Sequence, residues 1–100
     1  MGYITCESKE QSQMIAQKLL EQKLIACANI LPEIESHYMW QGKPEHSQES
    51  LLIVKSESHL TAKIEQSILA LHSYDCPCVV FYEATGGLPS YLKWASQQLS

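Results

Sequence analysis

The stretch that decides the fold reads Cys27-Ala-Asn-Ile-Leu-Pro32, Ser36-His-Tyr-Met-Trp-Gln-Gly-Lys43 and Glu49-Ser-Leu-Leu-Ile-Val-Lys55. Beyond the proline, the apolar or aromatic side chains of Ile34, Tyr38 and Trp40 alternate with polar ones, which is the period of a strand with one buried face. A reversal follows at 41–44, where Gly42 takes the positive φ of a tight turn and Pro44 needs no ladder partner. The stretch therefore predicts one long β-hairpin arm.

The elements around this arm follow the order β-α-β-β-α-β, with a short helix appended. A first strand is expected at residues 1–6, and Ser8 with Gln11 forms a capping-box pattern for a helix that runs to about Gln22. The predicted buried stripe of this helix comprises Ile15, Ala16, Leu19 and Leu20. The second strand is expected to begin near Ala26 and the third near Glu49.

The second half of the chain continues the same alternation. The apolar run 51–54 is typical of a central strand. Ser56 or Ser58 is expected to cap a second helix, and 78–82 is expected to form the fourth strand after a turn at 74–77. Pro89 suits the first turn of a last helix. The apolar stripes of these helices are Leu60, Ile64, Ile68 and Leu71, and then Leu88, Leu92, Ala95 and Leu99.

This order predicts an α+β fold, a ferredoxin-like split β-α-β sandwich with a long hairpin arm. Right-handed crossovers place both helices on one face of an antiparallel sheet and leave the other face bare. A bare apolar face and a projecting arm both need a cover, so self-association is expected.

Composition limits the possible partners. A chain of 100 residues is expected to form a single domain, 1–100, and its net charge of −4 with seven basic residues argues against nucleic acid. No secretory signal or membrane span is present in the sequence, which predicts a cytoplasmic protein. The four cysteines are accordingly expected to be reduced thiols.

Five ordered motifs carry a family resemblance. They are Lys23-Leu-Ile-Ala-Cys-Ala-Asn-Ile-Leu-Pro32, Ser36-His-Tyr-Met-Trp-Gln-Gly-Lys43, Glu49-Ser-Leu-Leu-Ile-Val-Lys55, Leu71-His-Ser-Tyr-Asp-Cys-Pro77 and Tyr91-Leu-Lys-Trp94. Together they resemble the CutA divalent-cation tolerance family over nearly the whole chain. The resemblance implies a ferredoxin-like fold, a tight homotrimer, and a link to copper and other divalent metals.

The resemblance also implies a cleft between subunits. The family positions that face this cleft correspond here to Glu49, Lys55, Tyr38 and Trp40, and Cys27, His72 and Tyr74 complete the candidate lining. Where the family reads His-Pro-Tyr-x-x-Pro-Glu, this chain has His72-Ser-Tyr-Asp-Cys-Pro-Cys78. A thiol therefore stands where the family has a carboxylate, and a soft ligand replaces a hard one.

Two clusters in the sequence could carry metal chemistry. His72, Cys76 and Cys78 lie within seven residues, and Cys6 is expected on a neighbouring strand, so the four form a candidate site for Cu(I) or Zn. The alternative is that the cysteines are buried as small apolar side chains and that His72 ends a helix.

The arm carries the second cluster. Glu33, Glu35 and His37 share one face of a strand, and Glu45, His46 and Glu49 follow the turn, so carboxylates and imidazoles can lie opposite one another. The alternative is a solvated outer face that discourages edge-to-edge aggregation.

Two functions follow from these observations. The first is a non-enzymatic, trimeric, cytoplasmic protein that binds divalent metal or copper and confers tolerance, with no obligatory cofactor. The second is a signalling module of the PII-like kind that binds a small anionic molecule in the same clefts, using Lys55 and the turn at 40–43. A thiol enzyme is not expected, because little cationic charge surrounds Cys76 or Cys78.

Overall fold

The computed structural model describes residues 1–100, which form one four-stranded antiparallel sheet and three α-helices. The strands are β1 (Gly2–Cys6), β2 (Cys27–Trp40), β3 (Lys43–Lys55) and β4 (Val79–Phe81). The helices are α1 (Lys9–Glu21), α2 (Thr61–Leu71) and α3 (Pro89–Gln97). The strand order is β2-β3-β1-β4, so the longest strands stand at one side of the sheet. No helix has both the length and the apolar character needed to cross a membrane.

The second strand of the hairpin arm is longer than the sequence predicts. β3 begins at Lys43 and not near Glu49, because β2 and β3 stay paired as far as Trp40 and Lys43. The reversal uses Gln41 and Gly42, with φ values of 49° and 80°, which confirms the positive φ expected at Gly42. The register shifts between Leu31 and Ile34, so the arm leaves the sheet at a bulge. The chain is consequently elongated, with extents of 44 × 26 × 22 Å.

The first helix begins as its sequence predicts. Ser8 Oγ accepts a hydrogen bond from the Gln11 backbone N–H at 3.1 Å. The Gln11 side chain reaches one residue further back than a capping box requires, because its Oε1 accepts from the Glu7 N–H at 3.0 Å. Ile15, Ala16 and Leu19 are buried as expected, but Leu20 is exposed.

The later elements differ from expectation at their ends. Neither Ser56 nor Ser58 caps α2, because a 3-10 turn (Ser58–Leu60) precedes it and Ser56 Oγ donates to the Leu24 carbonyl at 2.6 Å. β4 is shorter than 78–82, although the Tyr82 N–H still donates to the Met1 carbonyl. Pro89 stands in the first turn of α3, as predicted, but no residue of that helix is buried.

The core lies between the sheet and α1 and α2. Its twelve buried residues come from both sides of this interface: Ile4, Cys6, Ile15, Ala16, Leu19, Leu24, Ile25, Leu52, Val54, Leu60, Ile64 and Ile68. Since neighbouring residues of a strand face opposite sides, the alternate residues form a second surface outside this core, mostly exposed or half-buried apart from Leu51, which is 8% exposed. We call this surface the open face; it comprises Tyr3, Thr5, Asn29, Leu31, Leu51, Ile53 and Val80.

Candidate functional site

The loop that follows α2 is attached to the end of β1 by a histidine. His72 Nε2 lies 2.8 Å from the Thr5 carbonyl oxygen. A carbonyl only accepts, so Nε2 carries the proton and donates. The other ring nitrogen, Nδ1, accepts from the Tyr74 backbone N–H at 3.1 Å. Both nitrogens of His72 are therefore used to hold the loop.

Tyr74 links this loop to the inner end of the arm, which we call its foot and which lies at the bulge where Ile34 pairs with Glu49. Its hydroxyl donates to Glu49 Oε2 at 2.9 Å, and its ring lies 4.7 Å from the His72 ring, centroid to centroid. Burial raises the pKa of Tyr74, and the hydrogen bond to the Glu49 carboxylate raises that pKa further. The structure thus brings three predicted site residues, Glu49, His72 and Tyr74, into one cluster.

Gln11 belongs to the same cluster, although the sequence indicated only its capping role. It is buried, and its Nε2 donates to Ser73 Oγ at 2.9 Å while its Oε1 accepts from the Glu7 N–H before the helix. The capping-box pattern locates this residue but cannot reveal a partner 62 positions away. Gln11 therefore ties the start of α1 to the loop after α2.

Cys6 lies beneath the cluster in a polar pocket of the core. Burial raises the pKa of its thiol, the nearby Glu49 and Glu7 carboxylates raise it as well, and a hydrogen bond with Ser12 opposes the shift. Ser12 and Ser50 share a hydrogen bond of 2.8 Å, and Ser50 Oγ also donates to the Leu31 carbonyl at 3.2 Å. The thiolate that binds metal is disfavoured in these surroundings.

An acidic groove runs between the start of α1 and the foot of the arm. Its volume is about 360 Å³, and no hydrophobic residue lines it. The lining residues are Glu7, Ser8, Lys9, Glu10, Pro32, Glu33, Gln48 and Glu49. Four carboxylates against one ammonium group make this groove more suited to cations than to anions.

The remaining cleft candidates lie elsewhere in the chain. Cys27 pairs with Lys55 at the base of the hairpin, where the Lys55 ammonium lies 5.5 Å from the centre of the Tyr91 ring. Six positions along β3 separate this pair from Glu49, a distance of roughly 20 Å. Tyr38 and Trp40 are exposed near the tip of the arm, with the Tyr38 hydroxyl 3.4 Å from Ser47 Oγ. Within one chain the seven candidates therefore occupy three separate places.

The four predicted metal ligands are not gathered in one place either. No three His, Cys, Asp or Glu side chains are placed to hold one metal ion. All four cysteines are free, with Cys6 buried and both Cys76 and Cys78 exposed. Since His72 uses both ring nitrogens to hold the loop, the exposed thiols are the accessible donors of this set.

Comparisons with known proteins agree with this architecture. The family model described as CutA1 divalent ion tolerance protein matches residues 1–98. The structure of the divalent cation tolerance protein from Thermus thermophilus superposes with a TM-score of 0.96 at 37% identity, over 99% of this chain and 96% of that one. That of the periplasmic divalent cation tolerance protein CutA from Archaeoglobus fulgidus gives 0.95 at 38% identity, over 99% and 96%.

A curated relative extends the comparison to plants. The chloroplastic CutA protein of Arabidopsis thaliana is 39% identical over 92 residues, which are 92% of this chain. The match spans half the length of that relative, 50%. A family model over almost the whole chain, together with two superposable structures, leaves one assignment: the chain belongs to the CutA1 divalent ion tolerance protein family.

Proposed function

We propose that the protein is a non-enzymatic homotrimer that binds divalent metal ions and copper, with copper preferred as Cu(I), and takes part in metal tolerance. Family membership supports the tolerance role. The observation that carries the preference for copper is the exposure of two thiols, Cys76 and Cys78, with only Pro77 between them. Thiolates are soft ligands that select Cu(I) over hard cations such as Mg²⁺ and Ca²⁺.

The surroundings of the two thiols support this role. The backbone beside Cys78 is held to β1, because the Thr5 N–H donates to the Cys78 carbonyl at 3.4 Å. At the start of the preceding loop, His72 donates to the carbonyl of the same residue, Thr5, and accepts from the Tyr74 N–H. An ion bound at Cys76 and Cys78 would therefore sit on a loop anchored at both ends.

The trimer is supported by apolar surface that a single chain leaves in water. The open face exposes Tyr3, Leu31 and Val80, and the arm exposes Tyr38 and Trp40. Large exposed apolar patches mark association sites, and Tyr and Trp are enriched at interface cores. The strand order β2-β3-β1-β4, with both crossover helices on the other face, supports the ferredoxin-like description of each subunit.

A signalling role based on a small anionic ligand has less support. The acidic lining of the groove repels anions, and Lys55 is already placed over Tyr91. An enzyme that uses a cysteine nucleophile is disfavoured at Cys6, because burial raises the pKa of that thiol.

The cytoplasmic location is part of the same proposal. Four free cysteines suit a reducing compartment. Relatives are described as chloroplastic or periplasmic, so fractionation of native cells with an antibody to the protein is the test. Recovery in a compartment that promotes disulfides would contradict the proposal.

The copper proposal is tested by Cu(I) binding to purified, tag-free protein in competition with a chromophoric chelator. Cys76→Ser with Cys78→Ser is expected to lower the affinity at least 100-fold, because both soft donors are lost. Cys27→Ser is the matched control, since it removes a free and partly buried thiol at the start of β2, away from Cys76 and Cys78 in the chain. Affinity that survives the double substitution and falls with Cys27→Ser or Cys6→Ser would move the site. Equal binding of Mg²⁺ would contradict the copper preference.

A further inference from the structure

Two histidines lie directly opposite each other on the arm. His37 in β2 is paired with His46 in β3, and their rings are stacked with centroids 5.5 Å apart and an interplanar angle of 26°. Both side chains are exposed. They are separate from the cluster of Glu49, His72 and Tyr74, which lies at the foot of the arm.

A carboxylate fixes the proton on one of these rings. Glu35 Oε1 lies 2.6 Å from His37 Nε2. A carboxylate only accepts, so Nε2 carries the proton and donates to it. In the neutral imidazole the lone pair is then on Nδ1, the nitrogen that remains free to bind a metal. Metal-binding histidines usually have their other ring N–H held in this way by a carboxylate or carbonyl.

The spacing of the two rings suits a shared ion. With metal–nitrogen distances of ~2.0–2.1 Å, two imidazoles on one tetrahedral ion have ring centres ~5 Å apart. The observed separation is 5.5 Å. The torsion that turns an imidazole about its Cβ–Cγ bond is broad, so both rings can turn a nitrogen towards a common point while the backbone stays paired.

We propose that His37 and His46 form a binding site for a divalent transition-metal ion of the Zn²⁺ or Cu²⁺ class, with Glu35 as a positioning residue. Imidazole is a preferred ligand for these ions and a poor one for Mg²⁺ and Ca²⁺. The chain supplies two ligands here, and no third His, Cys, Asp or Glu is placed to join them. Water completes the coordination. The site uses no cysteine and does not rest on the copper proposal for Cys76 and Cys78.

The site lies on the side of the arm opposite to its aromatic residues. Along β3, Ser50 and Leu52 are buried on the helix side, and His46 shares their alternation. Tyr38 and Trp40 lie on the other side of the arm, which continues the open face. A neighbouring subunit that covers those aromatic side chains therefore leaves the histidine pair on the side facing away from it.

The test is calorimetric titration of zinc chloride into the full-length, tag-free protein carrying Cys76→Ser and Cys78→Ser, so that the exposed thiols do not compete. His37→Gln and His46→Gln are each expected to weaken Zn²⁺ binding at least tenfold. Glu35→Ala is expected to weaken it by about tenfold or more, because the His37 ring loses the acceptor that orients it. His59→Gln is the matched control, an exposed histidine in the 3-10 turn before α2.

A nuclear magnetic resonance measurement identifies which histidines bind the ion. Zn²⁺ is expected to shift the imidazole nitrogen resonances of His37 and His46 and to leave those of His59 in place. Absence of Zn²⁺ binding in the Cys76→Ser, Cys78→Ser background, equal losses with His59→Gln, or unchanged affinity in both His37→Gln and His46→Gln would each overturn the site. Failure of the wild-type protein to bind Cu(I) would contradict the copper proposal alone, because the histidine site is measured with Zn²⁺ in the background that lacks the two exposed thiols, so the two proposals fail separately.

Discussion

The two faces of the sheet have very different exposure to solvent. On the helix side, Ile4, Leu52 and Val54 have no exposed surface. On the open face, Tyr3, Leu31 and Val80 are 38%, 44% and 43% exposed. One sheet supplies both rows, and neighbouring positions such as Tyr3 and Ile4 in β1 have opposite surroundings because side chains alternate along a strand.

The helix side of the sheet stabilises the fold of one chain, whereas the open face and the arm can be stabilised only by association. The helix side contains the twelve-residue core cluster and supplies most of the hydrophobic stabilisation of the fold. The open face and the arm have similarly apolar side chains that a single chain does not bury. Their stabilising effect can be obtained only when another surface covers them, so mutations on the two faces should change different measurements.

The largest expected effect is on assembly, from the paired substitution Tyr38→Ala with Trp40→Ala. Large buried aromatic side chains at an interface each contribute roughly 2 kcal/mol or more, so the pair should cost about 4 kcal/mol of association free energy. Sedimentation equilibrium should then move from three times the chain mass of 11.3 kDa towards one. Met39→Ala is the matched control, since Met39 is exposed between them on the opposite side of the arm. A monomeric wild type, or an unchanged mass in the double variant, would show that the arm does not contribute to association.

The next effect is on folding, from Leu52→Ala on the helix side. A fully buried leucine truncated to alanine costs about 3 kcal/mol, through lost burial and the cavity that remains. Leu31→Ala, one strand away on the open face, should cost below about 1 kcal/mol when chains are separate. Urea unfolding of both substitutions in the Tyr38→Ala, Trp40→Ala background measures the two costs without assembly. Equal costs would show that the open face is covered within a single chain.

The smallest effect concerns the bond that joins the foot of the arm to the loop after α2. Tyr74→Phe removes the hydroxyl that donates to Glu49 and should cost about 1 kcal/mol or less at neutral pH. Burial and the Glu49 carboxylate raise the pKa of Tyr74 in the folded chain. Its contribution is therefore complete below the ordinary tyrosine pKa of about 10 and is lost as pH rises through the raised value.

The corresponding measurement is the free energy of unfolding of wild type and Tyr74→Phe between neutral and strongly alkaline pH. The gap between the two proteins should narrow above pH ~10. Tyr82→Phe is the control, an exposed tyrosine beyond β4. A gap that stays constant through this range, or one that Tyr82→Phe reproduces, would show that the Tyr74 hydroxyl does not depend on Glu49.

Local patterns predicted the elements more accurately than their ends. The Ser8 cap, the Gly42 turn and Pro89 at the start of α3 depend on one residue and its own backbone, and all three are confirmed. The start of β3 was wrong because pairing with β2 extends a strand through polar residues that have no apolar signal of their own. The caps expected for α2 were wrong because Ser56 bonds instead to Leu24, 32 residues away.

The candidate site shows the same division. Glu49, His72 and Tyr74 were named from the sequence, but their hydrogen bonds join residues 25 and 67 positions apart. Gln11 was known only as a capping residue, and its bond to Ser73 depends on how α1 and the loop after α2 meet. The separation of Cys27 and Lys55 from Glu49 follows from the strand register, which alternation alone does not specify.

The sequence by itself determined the order of the elements and the family to which the chain belongs. It also determined the alternation that places apolar side chains on both faces of the sheet, one covered by the helices and one left open. These depend on residue type and spacing along the chain. Only the tertiary structure decided which groups come into contact: the His72 ring with the Thr5 carbonyl, the Tyr74 hydroxyl with the Glu49 carboxylate, and the His37 ring with the His46 ring. The first two contacts join segments distant in the chain and form only when the core brings those segments together, whereas the third depends on the register of the hairpin, which alternation alone does not specify.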